Sequence, residues 1–333
     1  MAKDGAATPS WQVLLGSNHW AGLLDLSLRR LFLQCGDLCQ VTYDSFNSDK
    51  LSNDEAWSKD SNWIGYMAVS SDDAALKNGR REIYVAWRGT IRPLEWLDVA
   101  QPELVLIDSI LSSTQRCWAN DDEVPKVMKG WYIIYTSSDP QSPFNKDSAR
   151  DQLLPQIKQL VERYKNESLS IICVGHSLGA SLAILSAFDI VENGVSKIGE
   201  DSYVQVCAMV FGSPQIGNKA FKDRLEQLPN LRVLHTKNKI DLIPQYPSGL
   251  LGYVFTGVEL VVDTRKSPYL KDSMETGNWH NLQGILQAVA GWNGEDGEFE
   301  FKVKRCMALV NKSCDHLKEP PHSHPFLLVQ SPD

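Results

Sequence analysis

The run Ile171-Ile172-Cys173-Val174-Gly175-His176-Ser177-Leu178-Gly179-Ala180-Ser181 constrains the fold more than any other part of the chain. Its short apolar segment, rich in β-branched residues, reads as a buried strand, and the small and apolar residues after it read as a helix. Between them stands Gly-X-Ser-X-Gly, the pattern of a sharp strand-to-helix turn with a serine at its apex. Glycines two before and two after the serine leave room for backbones that cross closely and for strained turn geometry. The spacing alone carries little, since about 0.1 such matches arise by chance at average Gly and Ser usage in a chain of this size. The flanking strand and helix make it specific, so Ser177 is the candidate nucleophile.

The rest of the chain supplies companions for that strand. Apolar residues at three- and four-residue spacing over 11–43 (Leu23, Leu24, Leu26, Leu28, Leu31, Phe32, Leu33 and Leu38) predict a helix. The polar stretch 44–61 reads as a loop, and 63–69 with 81–87 as a strand pair around a polar turn. An amphipathic helix is expected over 146–164, with Pro155 placed to kink it. Strands are expected at 169–174, 204–211, 231–236 and near 258–262, with a helix at 218–228. Strands alternating with helices imply an α/β fold, a mostly parallel central sheet with helices on both faces. One domain is expected over 11–317, after a disordered lead-in at 1–10 and before a Pro-bearing flexible tail at 318–333.

The net charge of −8 argues against nucleic acid as a main partner and gives no general attraction to anionic membranes. No apolar stretch is long enough to span a bilayer. The first ten residues carry neither an apolar leader core nor Arg-rich transit character, and a cytoplasmic location is expected. The seven cysteines are odd in number and scattered, which reads as reduced, packed thiols. No metal or other cofactor is called for.

A serine hydroxyl needs a base to take its proton and an acid to orient that base. In the α/β-hydrolase arrangement of such an elbow these follow in the order Ser, acid, His. Asp241 sits just past the end of the 231–236 strand, where open α/β sheets assemble their sites. Its competitors are Asp223, on a predicted helix, and Asp263, beyond the 258–262 strand. Among the histidines, His19 precedes the sheet, His176 lies inside the elbow and points away from Ser177, and His235 sits within a strand as a core histidine. His322 and His324 lie in the tail, and His316 lies in a predicted helix near the end. That leaves His280, at a loop-to-helix junction after the acid. An oxyanion hole needs backbone N–H groups, one from Leu178 after the nucleophile and one from the turn Trp87-Arg88-Gly89-Thr90.

These residues carry a specific resemblance. Trp87-Arg88-Gly89-Thr90, Trp96 with Asp98, Gly130-Trp131 with Tyr135, the 175–180 elbow, 211–218, 241–244 and His280 are similar, in order, to the class-3 (fungal-type) lipase family. Within it the chain resembles the plant phospholipase A1 class II group over about 11–316. The resemblance implies an α/β-hydrolase fold with Ser177 as nucleophile, Asp241 as acid, His280 as base, and Thr90 and Leu178 as oxyanion donors. It also implies a mobile lid at about 100–127. Departures are a shorter stretch between Ser48 and Trp57, Gln215 in place of a frequent Arg, and Gln287 where relatives often carry a second His.

The implied activity is serine acyl-ester hydrolysis of glycerolipids at a membrane or micelle surface, with release of the fatty acid at the first acyl position of phospholipids. Two other readings stay open on sequence: a catalytically weak lipase-like scaffold, and a lipase or carboxylesterase for neutral or galactolipids. The apolar residues 104–107 and 110–111 read equally well as lipid contacts of an opened lid or as ordinary core.

Overall fold

A computed structural model of the protein describes residues 26–45, 63–91, 102–112, 123–200 and 202–318. Helix α1 (Leu26–Asp44) precedes a six-stranded sheet whose strands lie side by side in chain order. They are β1 (Gly65–Val69), β2 (Arg81–Trp87), β3 (Leu169–His176), β4 (Gln205–Phe211), β5 (Leu231–Asn238) and β6 (Val258–Val262). β1 runs antiparallel to β2, and β2 through β6 are parallel.

Alternation along the strands sorts the interior into two layers. Ile83, Val85, Trp87, Ile171 and Cys173 belong to one core, while Tyr84, Ala86, Ile172 and Val174 belong to the other. All of β2 and β3 is buried, as a strand covered on both faces must be.

Parallel strands added in one direction through right-handed crossovers put every connection on the same face. The first core contains those connections. They are α3 (Lys129–Thr136) and α4 (Ala149–Arg163) before β3, α5 (Leu178–Glu192) before β4 and α6 (Lys219–Glu226) before β5. Trp131, Ile157, Phe188 and Phe221 all lie in it. The opposite face has to be covered by helices from outside the crossovers. α1 and α7 (Leu282–Gly291) do this, burying Phe32, Cys35, Ile285 and Leu286. Arg29 ties the two helices together, donating from Nη1 to Val289 O (2.5 Å) and Trp292 O (2.9 Å).

Several sequence readings change here. The polar turn between β1 and β2 holds a short helix, α2 (Asp72–Asn78), with Ser71 accepting from Ala74 N at its start and Gly79 (φ 68°) ending it. Asp72 and Asp73 in its first turn and Lys77 in its last match the helix dipole. His316, expected on a helix, lies beyond the short turn Met307–Lys312, next to the bridge between Leu270 and Leu317. The lead-in at 1–10 and the 46–62 stretch lie outside the described residues, as does the tail beyond Lys318.

The segment expected as a lid is described only at 102–112 and 123–127. Leu104–Leu106 pairs antiparallel with Lys126–Met128, and Ile107, Ile110 and Leu111 sit in the first core. Ser112 donates from N (3.3 Å) and Oγ (2.9 Å) to Glu192, the last residue of α5. The 15 residues of α5 span about 22 Å from the elbow at their other end. Ile107, Ile110 and Leu111 are thus core residues in this structure.

Candidate active site

β3 ends at His176 and α5 starts at Leu178, so Ser177 alone makes the turn, with φ 59° and ψ −128°. It is the only non-glycine residue at positive φ among the described residues. Such a conformation costs about 1–3 kcal/mol and persists only where its surroundings enforce it. The flanking glycines do so. A Cβ on Gly175 would lie 2.0 Å from Gly179 O, and one on Gly179 would lie 2.4 Å from Trp87 O. Strand, helix and the end of β2 therefore meet backbone to backbone.

This approach sets the first turn of α5 against the Trp87-Arg88-Gly89-Thr90 turn. Leu178 is the first helical residue, so its N–H has no acceptor within the helix. Thr90 is half-buried at the end of the turn. Arg88, fully buried, braces it by donating from Nε to Trp63 O (3.0 Å) and from Nη1 to Gly89 O (2.8 Å).

Asp241 follows β5 at the carboxyl edge of the sheet and is buried. Its Oδ1 accepts from Ile243 N (3.0 Å), and its Oδ2 lies 2.6 Å from His280 Nδ1. Gly212, just past β4, closes the site from below. A Cβ there would fall 2.8 Å from His280 Cε1 and 3.4 Å from Asp241 Oδ2, while Ser177 N donates to the adjacent Phe211 O (3.0 Å). Asp241 and His280 are thus in contact beside the elbow. His280 Nε2 is buried and bonds to none of the described residues, so a Ser177–His280 hydrogen bond is not closed. That bond is often loose before substrate binds.

The rival residues lie elsewhere. Asp223 pairs with Lys219 on α6, and Asp263 holds Arg265 through both carboxylate oxygens. Gln287 donates to Ser267 Oγ (2.8 Å) inside the core, and Gln215 is tied through its backbone N–H to Tyr246 O (2.8 Å). His19, His322 and His324 are outside the described residues, as are Trp96 and Asp98. Among the described residues no group of His, Cys, Asp and Glu is arranged to hold a metal ion, and no helix is long and apolar enough to cross a membrane. The described cysteines are all free thiols, four of them buried.

Sequence reasoning missed the groups that hold the His280 segment. Asn238, at the end of β5, donates from Nδ2 to Trp279 O (2.9 Å), and His176 Nε2 bonds the next carbonyl, His280 O (3.0 Å). A buried asparagine at a strand end was the available signal for the first. Nothing local distinguishes the second from a passive elbow residue.

His235 is the core histidine expected of it: Ser213 N donates to its Nε2 (2.8 Å) and Phe255 stacks on its ring. Burial first, then Lys237, pushes its pKa down to about 3, and burial holds His176 well below the ordinary 6.5. Both stay neutral in the fold while the unfolded chain takes up their protons below pH 6.5. Unfolding then binds protons, and stability falls as pH drops through 6 and below. Together they steepen the fall of stability with pH by up to roughly 3 kcal/mol per pH unit, in the window below 6.5 and above their folded pKa values. Chemical denaturation at pH 7.5, 6 and 5 checks this, and His235→Gln should remove about half of the slope.

The family described as Lipase (class 3) matches residues 84–250. Phospholipase A1-II 5 of Oryza sativa subsp. japonica is 54% identical, the match covering 95% of this chain and 78% of that protein. Phospholipase A1-IIdelta of Arabidopsis thaliana is 44% identical, over 93% of this chain and 90% of its own. Among solved structures, a triacylglycerol lipase from Penicillium expansum superposes with a TM-score of 0.50 at 18% identity, over 72% of this chain and 81% of that one. The nonglycosylated LIP2 lipase of Yarrowia lipolytica does so with a TM-score of 0.50 at 19% identity, again over 72% and 81%. The structural likenesses speak for the α/β-hydrolase fold, and the sequence identities, running along nearly the whole chain, speak for kinship. The protein belongs to the class 3 lipases, among the phospholipase A1-II proteins of plants.

Proposed function

We propose that the protein is a serine acyl-ester hydrolase acting on membrane glycerolipids as a phospholipase A1. The observation that carries this is the strained Ser177 elbow set beside the 2.6 Å Asp241–His280 pair. In this reading His280 Nε2 takes the Ser177 proton as Oγ attacks the ester carbonyl. The Thr90 and Leu178 amides receive the oxyanion, and the alcohol leaves with the proton from His280. Water then hydrolyses the acyl-enzyme with His280 again as base. Asp241 keeps the imidazole proton on Nδ1 and steadies the positive charge that forms. The phospholipid assignment is supported by the relatives in rice and Arabidopsis, which are named phospholipases A1-II.

The assignment is tested with phosphatidylcholine carrying different acyl chains at its two positions, beside triacylglycerol and galactolipid. Release of the first-position chain is expected. Preferential cleavage of either other lipid would replace the phospholipid reading, and failure of a fluorophosphonate to label Ser177 in folded protein would favour a non-catalytic scaffold.

The site rim supports docking on a lipid surface. Exposed apolar residues neighbour three site residues: Ile91 beside Thr90, Leu242 beside Asp241, and Met274 in the approach to His280. The β5–β6 connection carries no charged residue from 242 to 258, and within it Leu250 is 99% exposed and Leu251 51%. Replacing Leu250 and Leu251 with Asp is expected to lower binding to phosphatidylcholine vesicles about 10- to 100-fold, as two exposed apolar side chains are lost from an interface. Turnover of a soluble short-chain ester should be unchanged. Equal vesicle binding by the variant would rule out this surface.

A further inference from the structure

Tyr43, near the end of α1, and His176, the residue before Ser177, form a pair that the mechanism above does not use. Tyr43 Oη lies 2.8 Å from His176 Nδ1, and His176 Nε2 lies 3.0 Å from His280 O. The chemistry of the groups settles which atom donates. A carbonyl oxygen only accepts, so His176 Nε2 carries a hydrogen. Burial keeps this imidazole neutral, with a single N–H, so Nδ1 accepts and the Tyr43 hydroxyl donates.

The rings add a second contact. His176 and His280 have centroids 4.6 Å apart at 32°, and Tyr43 meets His176 edge-on at 5.9 Å. The Tyr43 hydroxyl also presses on the turn that offers Thr90. A Cβ on Gly89 would lie 1.9 Å from it and 2.7 Å from His176 O. One side chain from the first described helix therefore touches both the oxyanion turn and the support of the base.

We propose that Tyr43 and His176 work as one positioning unit, setting the peptide and ring of His280 and the Gly89-Thr90 turn relative to Ser177, so that α1 is a functional part of the active site. The proposal rests on reading His280 as the base. With Asn238 on Trp279 O and His176 on His280 O, two successive carbonyls are held, and the imidazole swings from a fixed origin. Asp241 and the His176 ring then fix its direction. A misplacement of about 1 Å in such a group costs on the order of 10²-fold in rate.

The test is kcat, KM and melting temperature for Tyr43→Phe, His176→Leu, His176→Gln and the Tyr43→Phe/His176→Leu double variant, on a soluble p-nitrophenyl ester. Tyr43→Phe is expected to lose about 10-fold in kcat with KM and melting temperature nearly unchanged, and His176→Leu about 100-fold in kcat with KM nearly unchanged. The double variant should be no worse than His176→Leu alone, because a unit already broken cannot be broken again. His176→Gln should recover much of the loss, since its amide can donate to His280 O and accept from Tyr43. Wild-type kcat in both single variants, losses that track melting temperature, or independent multiplication in the double variant would each overturn the proposal. If His176→Leu does not fold, Tyr43→Phe, which lacks one oxygen atom, decides by its kcat alone. His280→Ala separates the two claims. Retained turnover there refutes the base assignment. Abolished turnover, with wild-type rates in the Tyr43 and His176 variants, refutes only the positioning unit.

Discussion

Ser177→Ala is expected to lower kcat for ester hydrolysis by about 10⁵- to 10⁶-fold while the protein stays folded. No other described residue combines a strand end, a helix start and a positive φ, so no neighbour stands ready to replace its oxygen. Residual rate would come from the proposed oxyanion donors and from substrate binding alone. The same position allows a second, opposite readout. Ser177 holds φ 59° and ψ −128°, which a residue with a Cβ adopts only under constraint. Ser177→Gly is therefore expected to abolish turnover and raise stability by about 1 kcal/mol, the relieved strain outweighing the added freedom of the unfolded chain. Ser177→Ala keeps the strain and should melt close to the wild type. Turnover surviving in a well-folded Ser177→Ala protein would remove the nucleophile assignment altogether.

The next largest effect is expected from Asp241→Asn, about 10⁴-fold in kcat with little change in melting temperature. The reason lies in how the two carboxylate oxygens are used. Oδ1 accepts from Ile243 N and Oδ2 faces His280 Nδ1. An asparagine keeps the first bond only with its carbonyl toward Ile243, which turns its NH₂ toward His280. Nδ1 would then have to accept, the proton would move to Nε2, and the imidazole could no longer take a proton from Ser177. Kinetics on a soluble ester, beside a thermal melt, measure both parts. A rate within tenfold of wild type would mean that another acid orients His280.

Much of the fold was legible because its signals are local. β2, β3, β4 and β6 and helices α4 and α6 follow from apolar runs and periodicity, and the elbow follows from two glycines at fixed offsets. The misreadings have local causes too. The α2 helix is only seven residues long, so its caps carried the information and its periodicity did not. Apolar residues at 104–111 look alike whether they face lipid or core. In the fold Ile107, Ile110 and Leu111 lie in the first core, beside a Ser112–Glu192 bond that joins positions 80 residues apart.

The candidate site divides along the same line. Chain order selected Asp241 and His280 because the acid had to follow a strand end and the base had to follow the acid. Asn238, His176 and Tyr43 could not be found in that way. They are single polar residues with no period, and their partners lie 41, 104 and 133 positions away.

The sequence by itself therefore determined that a strand would turn at Ser177 into a helix, and it offered Asp241 and His280 as candidate partners in chain order. Steric limits at Gly175 and Gly179 and the apolar pattern around them act within a few residues, so they can be read along the chain. Tertiary structure alone decided that α1 and α7 cover the face the crossovers leave open. It also brought a tyrosine from one end of the described chain against the elbow histidine, which in turn holds the carbonyl of His280. Such contacts depend on the packing of a whole layer, and no short window of sequence encodes that packing.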